Sequence, residues 1–453
     1  MQSGTGIDQT PPSERCILAG LDIRRLNRGP SVLPSGLLPE QSLDELAELA
    51  SSAGAEVVGM ALQTREKPSP ATLLGIGKVR EIQAWASEAD CDFVLIDRDL
   101  TPSQHRNLER EIGRPVLDRT QLILDIFAKH ARSKTGRLQV ELAQLEYLLP
   151  RLAGRGSEMS RLGGGIGTRG PGETKLEHDR RKIRGRIVKL RRDLRRVRAT
   201  RRLQRSNRDS VPVPTVALCG YTNAGKSTLF NRLTRSRVVA DARMFATLDP
   251  TIRKLRTPSG KPTLLSDTVG FIRDLPPTLI EAFAATLEEV AEAALIVHVV
   301  DITAENRDVH TAEVNGVLKK IGAAQAPQIL VLNKSDLNDP DENERVVELG
   351  RAAGWAREVV AVSAKTGAGL DLLLEVVDAA LAEGLYVRRQ FRLPFREGAA
   401  LAALYEHGRV VTRREDAGGV EVLADVTPAL ADRMERFEAD VGAAADGASR
   451  SRG

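Results

Sequence analysis

Aromatic side chains are scarce in this chain, at 3% of 453 residues, and there are only three cysteines. The first scarcity argues against a stacking platform for single-stranded RNA, which needs rings lined along a groove. Cys16, Cys91 and Cys219 lie far apart and match no metal or redox spacing. They fit small buried hydrophobes in a reducing compartment better than a disulfide framework. No apolar run approaches the roughly 20 residues of a membrane span. Residues 291–300 are too short for one and read as a buried strand. The opening stretch MQSGTGIDQTPPSE is polar and lacks the apolar segment of a secretory signal, so a cytoplasmic location is expected. The length suits about two to four domains.

Charge is present but unevenly spread. The net charge is +5, yet residues 175–208 hold sixteen Lys and Arg against three acids, a local excess of thirteen that leaves the remainder at −8. An acidic body with one intensely basic segment points to a polyanionic partner for that segment alone.

The most informative stretch is GYTNAGKST, residues 220–228. It follows TVALC, an apolar run that reads as a strand, and precedes residues with helical spacing. Strand, glycine loop and helix together make a phosphate-binding loop. Gly220 and Gly225 let the backbone turn so that the N–H groups of Tyr221, Thr222, Asn223 and Ala224 can face phosphate oxygens. Lys226 is expected to reach the β- and γ-phosphates, and Ser227 to ligate Mg²⁺ beside Thr228. Downstream, Asp267, Thr268, Val269 and Gly270 end a second strand. There the carboxylate is placed to hold Mg²⁺ through water, and the glycine N–H to sense the γ-phosphate. A third strand delivers Asn333, Lys334 and Asp336, whose carboxylate can accept two hydrogen bonds from guanine N1 and N2. A fourth leads to Ser363, Ala364 and Lys365, whose backbone can meet the guanine carbonyl. The order of these pieces, each at a strand end, predicts a guanine-nucleotide-hydrolysing domain.

Before it, residues 15–131 alternate strands and helices, as in a compact α/β unit with parallel pairing. A helix is expected over residues 42–51, with Ser42 as N-cap and Glu45 three residues on. The turn at residues 72–78 has some of the look of a phosphate loop but lacks its full spacing, and is read as structural. Leu138, Leu142, Leu145, Leu149 and Leu152 step by fours and threes, and Leu176, Ile183, Leu190 and Val197 recur every seven residues. These seams predict an antiparallel helical hairpin over residues 132–208, with Pro150 ending the first helix near Leu149. The intervening loop, residues 153–175, is rich in glycine, and Gly172 is among the residues expected to forbid helix. Arg151, Arg155, Arg161, Arg169 and Lys175 supply cationic charge, with Gly165 and Thr168 alongside. An RNA-contacting tip is expected, against the alternative of a flexible linker.

GGGIGTRGPGETKLEHDRR, with GRLQVELAQLEYLLPRL before it and the nucleotide motifs after it, resembles the HflX family of ribosome-associated GTPases. The resemblance implies an N-terminal α/β domain with a helical hairpin, then a Ras-like domain. It also implies binding of GTP and GDP, and of the large ribosomal subunit through its rRNA. Members are associated with splitting or rescuing stalled or idle ribosomes under stress. Other readings are a GTPase of subunit assembly or RNA modification, and a signalling GTPase that binds a protein. By the same resemblance, Thr247 is chosen to close on Mg²⁺ and the γ-phosphate, with Thr251 as runner-up. Lys226, Thr247 and Gly270 form the expected catalytic set. Phe271 stands where Ras-like enzymes place a water-orienting glutamine, so hydrolysis alone is expected to be slow and ribosomes to stimulate it. Asn223 either helps to bind K⁺, as in some K⁺-stimulated relatives, or stabilises the turn.

The expected organisation is a multidomain α/β chain: disordered residues 1–14, an N-terminal domain 15–131, the hairpin, and a Ras-like domain 209–384. A small ferredoxin-like α/β domain, 385–441, and a disordered tail, 442–453, follow. Nothing in the sequence demands a dimer, so a monomer is expected.

Overall fold

The computed structural model describes residues 13–23, 37–152, 171–206, 213–236, 244–245, 250–273, 275–276, 279 and 283–439. Two compact units divide the chain. The first is Met1–Leu194 with Asp241–Ala246 and Arg273–Phe283; the second is Arg195–Ala240, Thr247–Ile272 and Ala284–Gly453.

In the first unit, β1 (Arg15–Ile23), β2 (Glu56–Arg65), β3 (Phe93–Ile96) and β4 (Val116–Asp118) form a parallel sheet in the order β2-β1-β3-β4. β1 is a continuous apolar run, buried along its middle, as a central parallel strand must be. The crossovers are α1 (Pro39–Ala53), α2 (Ile76–Glu88) and α3 (Pro102–Ile112), and α4 (Arg119–His130) follows β4. Their ends carry local signals. Thr101 caps α3 by accepting from the Gln104 N–H, Pro102 opens it, and Gly113 closes it in the left-handed conformation.

α1 corrects one expectation. It begins at Pro39, so Ser42 is not an N-cap but a buried residue inside the helix. Proline is preorganised for the first helical position, and the Gln41 side chain accepts from the Leu38 N–H. The Ser42 hydroxyl is thereby freed for a tertiary role.

α5 (Lys134–Arg151) and α6 (Pro171–Ser206) are the long helices of the basic region. Leu142, Ile187, Leu190 and Leu194 are buried together, with Leu138, Leu145, Leu149 and Ile183 packed against them. α5 ends at Arg151, two residues past Leu149, with Pro150 in its last turn. Pro150 forgoes the bond its N–H would make to the Glu146 carbonyl, a loss confined to the helix end, and Arg151 anchors that turn. Its guanidinium donates to the Leu100 carbonyl at 2.8 Å and to Asp118 at 2.9 Å, and lies over the Tyr147 ring. Arg151 is therefore committed to the fold rather than to the tip. Gly172 and Lys175 also fall within α6 rather than in a loop. Arg155, Arg161, Gly165, Thr168 and Arg169 lie outside the described residues.

In the second unit a six-stranded sheet has the order β10-β9-β8-β5-β7-β6. β5 (Thr215–Gly220), β7 (Pro262–Asp267), β8 (Leu295–Asp301), β9 (Gln328–Asn333) and β10 (Glu358–Ala361) are parallel, and β6 (Thr251–Arg256) is an antiparallel edge. The helices are α7 (Lys226–Thr234), α8 (Ala284–Ala291), α9 (Arg307–Lys320), α10 (Pro340–Ala352) and α11 (Leu370–Leu385). The order reverses beside β5, the topological switch point where doubly wound sheets bind ligands at their carboxyl ends. β11 (Val387–Leu393), α12 (Gly398–His407), β12 (Arg409–Asp416), β13 (Gly419–Val426) and α13 (Pro428–Met434) follow. Their antiparallel sheet runs β11-β13-β12 around its own apolar cluster.

Candidate nucleotide-binding site

The loop from β5 to α7 has the backbone of a phosphate cradle. Gly220 and Gly225 have φ of 147° and 90°, and a Cβ on them would come within 2.1 Å of the Val299 carbonyl and 2.2 Å of Asn333 Nδ2. No other residue fits either place. Asn223, at φ 60°, is exposed at the loop crest, and Ala224 is buried beneath it. Lys226 is buried, its Nζ donating to the Gly220 and Tyr221 carbonyls at 3.1 and 2.7 Å. Burial lowers its pKa to about 8, with Asp267 and Cys219 opposing. The ammonium is thus held by carbonyl dipoles, ready to exchange them for phosphate. Tyr221 stacks on His310 of α9, ring centroids 3.8 Å apart, and Thr228 is exposed on α7.

At the end of β7, Asp267 accepts from Ser227 Oγ at 2.8 Å, and Thr268 donates to the Leu218 carbonyl at 2.6 Å. Val269 is buried. A Cβ on Gly270 would lie 3.1 Å from Lys226 Nζ, so the glycine lets this turn approach the lysine closely. Phe271 is 1% exposed, and its backbone is tied to the phosphate loop. Its N–H donates to the Gly220 carbonyl at 3.0 Å, and its carbonyl accepts from the Thr222 N–H at 2.7 Å. A buried phenyl ring cannot orient water. Nearby, burial pushes the His298 imidazole down to about 3 and the Cys219 thiol up to about 12. Both are therefore neutral packing groups.

The base-recognition loops converge through Asn333. It donates to the Ala224 carbonyl at 2.8 Å and accepts from the Ala364 N–H at 3.0 Å, joining the phosphate loop to the loop after β10. Ser363 Oγ donates to Asp336 at 2.6 Å, which holds that carboxyl below its usual range. Lys334 adopts φ 66° and pairs with Asp301 at 2.6 Å. Ala364 begins a turn, and Lys365 is its second residue. Thr247 lies outside the described residues, and Thr251 starts β6 opposite Asp267.

Sequence reasoning missed what the segments flanking Thr247 and Gly270 do in the first unit. Phe245 and Phe283 both pack on Phe127, at centroid distances of 4.5 and 5.0 Å, and the Met244 N–H donates to Ser52 Oγ at 3.0 Å. Arg273, 3% exposed by its side chain, donates to Ser42 at 2.5 Å and lies 3.5 Å from both Glu45 and Asp97. Arg119 pairs with the same two acids at 3.0 and 2.9 Å. Burial raises the Asp97 pKa while the two guanidiniums oppose it. No sequence periodicity announces this cluster, because its members come from four separate segments.

Four family models match in succession: "GTP-binding GTPase N-terminal" over 40–128, "GTP-binding GTPase Middle Region" over 130–208, "50S ribosome-binding GTPase" over 215–334, and "HflX C-terminal domain" over 348–446. GTPase HflX of Caldanaerobacter subterraneus is 46% identical over 88% of this chain and 90% of its own length. The chain belongs to the HflX family of GTPases. GTPase HflX of Escherichia coli is 44% identical over 81% of this chain and 85% of its own. A GTP-binding protein of Sulfolobus solfataricus, solved with GDP, is 24% identical, with a TM-score of 0.42 over 81% of this chain and 99% of its own. Like other HflX GTPases, the protein is an enzyme of GTP hydrolysis with an α/β multidomain fold. Among the described residues, no helix is long and apolar enough to cross a membrane.

Ser227 and Asp267 suit Mg²⁺. They supply oxygens only, 2.8 Å apart at the mouth of the phosphate loop, the hard donor set that this ion selects.

Proposed function

We propose that this HflX protein is a slow GTP-driven switch of the cytoplasm that engages the large ribosomal subunit through rRNA. In this reading it acts as a monomer and splits or rescues stalled or idle ribosomes under stress. Lys226 and the loop N–H groups hold the phosphates, and Asp336, positioned by Ser363, reads the guanine edge. Lys334 packs along the base plane, and the backbone of Ser363, Ala364 and Lys365 meets its carbonyl. Ser227 and Thr247 would hold Mg²⁺, which would supply positive charge against the phosphates, and the Asn223 side chain would offer an oxygen to K⁺. Gly270 senses the γ-phosphate. With Phe271 in place of a polar residue, the ribosome completes the hydrolytic site.

The observation that carries ribosome engagement is the surface of α6. Arg181, Lys182, Arg184, Lys189, Arg192 and Arg196 are all exposed along it. That density of cations favours a polyphosphate backbone over a protein groove. Arg155, Arg161, Gly165, Thr168, Arg169 and Lys175 extend the RNA-contacting surface in this reading.

Cosedimentation with ribosomes across a salt series tests it. Replacing Arg184, Arg192 and Arg196 by Gln should weaken binding and flatten the slope of log K against log salt by about one per lost phosphate contact. Unchanged binding at every salt concentration would remove the arm from the interface. Stimulation of GTP hydrolysis by free rRNA as strongly as by 50S subunits would favour the RNA-modification or assembly reading. Stimulation by neither would favour a protein partner.

A further inference from the structure

Phe271 removes the usual polar group from the γ-phosphate side of the site, so the neighbouring hydroxyls become decisive. Ser227 Oγ donates to Asp267 at 2.8 Å, and Thr268 Oγ1 donates to the Leu218 carbonyl at 2.6 Å, so both are engaged. Thr222 is different. It is 6% exposed, and among the described residues its Oγ1 has no hydrogen-bond partner. A buried oxygen in that state costs the fold its lost hydration, and such exceptions cluster where a ligand completes the pairing.

The backbone fixes its place. The Thr222 N–H donates to the Phe271 carbonyl at 2.7 Å, and the Phe271 N–H donates to the Gly220 carbonyl at 3.0 Å. These bonds hold the side chain against Gly270, where a Cβ would lie 3.0 Å from Thr222 Cγ2 and 3.1 Å from Lys226 Nζ. The methyl group packs towards Gly270, and the hydroxyl takes another staggered position on the same Cβ. Thr222 therefore stands beside both the glycine and the lysine assigned to the γ-phosphate. Gly220, Thr222, Lys226, Gly270 and Phe271 all belong to the second unit. A threonine hydroxyl has one proton to donate and two lone pairs that accept. It can serve a water and a phosphate oxygen at once, which the Phe271 ring cannot.

We propose that the Thr222 hydroxyl is a catalytic group for GTP hydrolysis, accepting from the attacking water and donating to a γ-phosphate oxygen. The proposal rests on the nucleotide-pocket reading above. The water oxygen bonds to the γ-phosphorus as the bond from that phosphorus to the β,γ-bridging oxygen breaks. GDP leaves with the electron pair, and a water proton passes to phosphate and then to solvent. Thr222 keeps its own proton throughout and orients the water, the task a glutamine performs in Ras-like enzymes. This is the chain's own contribution to basal hydrolysis, on which ribosome stimulation is superimposed.

Single-turnover hydrolysis by the full chain at saturating GTP, without ribosomes, tests this with Thr222→Val and Thr222→Ser. Valine keeps the shape and drops the hydroxyl, so it should slow hydrolysis roughly tenfold or more. Serine keeps the hydroxyl and drops the methyl, and should retain about a third of the wild-type rate or more. Valine also removes the unpartnered oxygen, so its urea midpoint without nucleotide should equal or exceed that of wild type. A Thr222→Val rate within about twofold of wild type would overturn the proposal. Equal slowing by valine and serine would also overturn it, because shape rather than the hydroxyl would then be the requirement. Mant-GDP lacks the γ-phosphate, and both variants should bind it as wild type does. A Thr222→Val loss of that affinity would make the side chain a brace of the loop and overturn the proposal as well. Lys226→Ala reads the pocket separately: it should abolish mant-GDP binding, and retained binding would overturn the nucleotide-pocket reading instead.

Discussion

Each unit of this protein holds a buried polar cluster, and the two are built in opposite ways. Around the phosphate loop, two buried polar side chains rest on backbone. Lys226 lies on two carbonyls, and Asn333 spans a carbonyl and an N–H. In the first unit, Arg119, Arg273, Glu45 and Asp97 are held mainly by one another. Neutral carbonyls left behind when a ligand arrives cost far less than an uncompensated charge, so the first arrangement suits exchange of partners. Ions that rely on ions tolerate the loss of a member only where another duplicates it, as Arg119 duplicates Arg273.

This contrast is sharpest at Arg119. Replacing it with Ala leaves Glu45 and Asp97 to the longer contacts of Arg273 and should cost about 3 kcal/mol or more, read by urea denaturation of the nucleotide-free protein. Nucleotide affinity measured below the unfolding transition should be unaffected, and a loss of both together would break the distinction between the clusters.

A smaller effect concerns Lys226, whose pKa without nucleotide is about 8. Polyphosphate favours the charged form, so GDP affinity should hold steady below pH 8 and fall above it. The expected loss is about tenfold between pH 7 and pH 9, checked by fluorescence titration. Because the folded-state pKa lies below that of free lysine, the unfolded chain binds more protons in this window. This group therefore adds stability to the nucleotide-free fold as pH rises from about 8 towards the ordinary lysine value. An affinity flat to pH 9.5 would show that the lysine is not lowered.

The smallest effect is expected at Ser363, which orders the Asp336 carboxylate with one hydrogen bond. Ser363→Ala should weaken GDP binding roughly two- to tenfold and narrow its preference over ADP. Competition titration measures both.

The difference in construction also explains what could be read in advance. Each nucleotide-site residue ends a strand or follows one by a few positions, so Gly220, Gly225, Lys226, Asp267, Asn333 and Asp336 were visible as short motifs in order. The leucine and isoleucine steps that meet along α5 and α6 were visible for a similar reason, since a helix repeats its face every few residues. Ser42 was misread. Its sequence neighbours resemble an N-cap, and nothing local says that Pro39 has already started the helix. Arg151 was misread for the same cause: the groups that hold it in the last turn of α5, rather than in the loop, are Leu100 and Asp118, far away in sequence.

Sequence alone determined the chemistry available to this protein: a phosphate cradle, a guanine reader, no polar side chain at Phe271, and a cationic helix. These are properties of contiguous residues, whose backbone geometry and charge travel with them. Only the tertiary structure decided that Arg273 shares its acids with Arg119 and that Phe245 and Phe283 meet on Phe127. Contacts between segments up to 231 residues apart depend on which faces the folded sheets and helices bring together, and no local pattern encodes that.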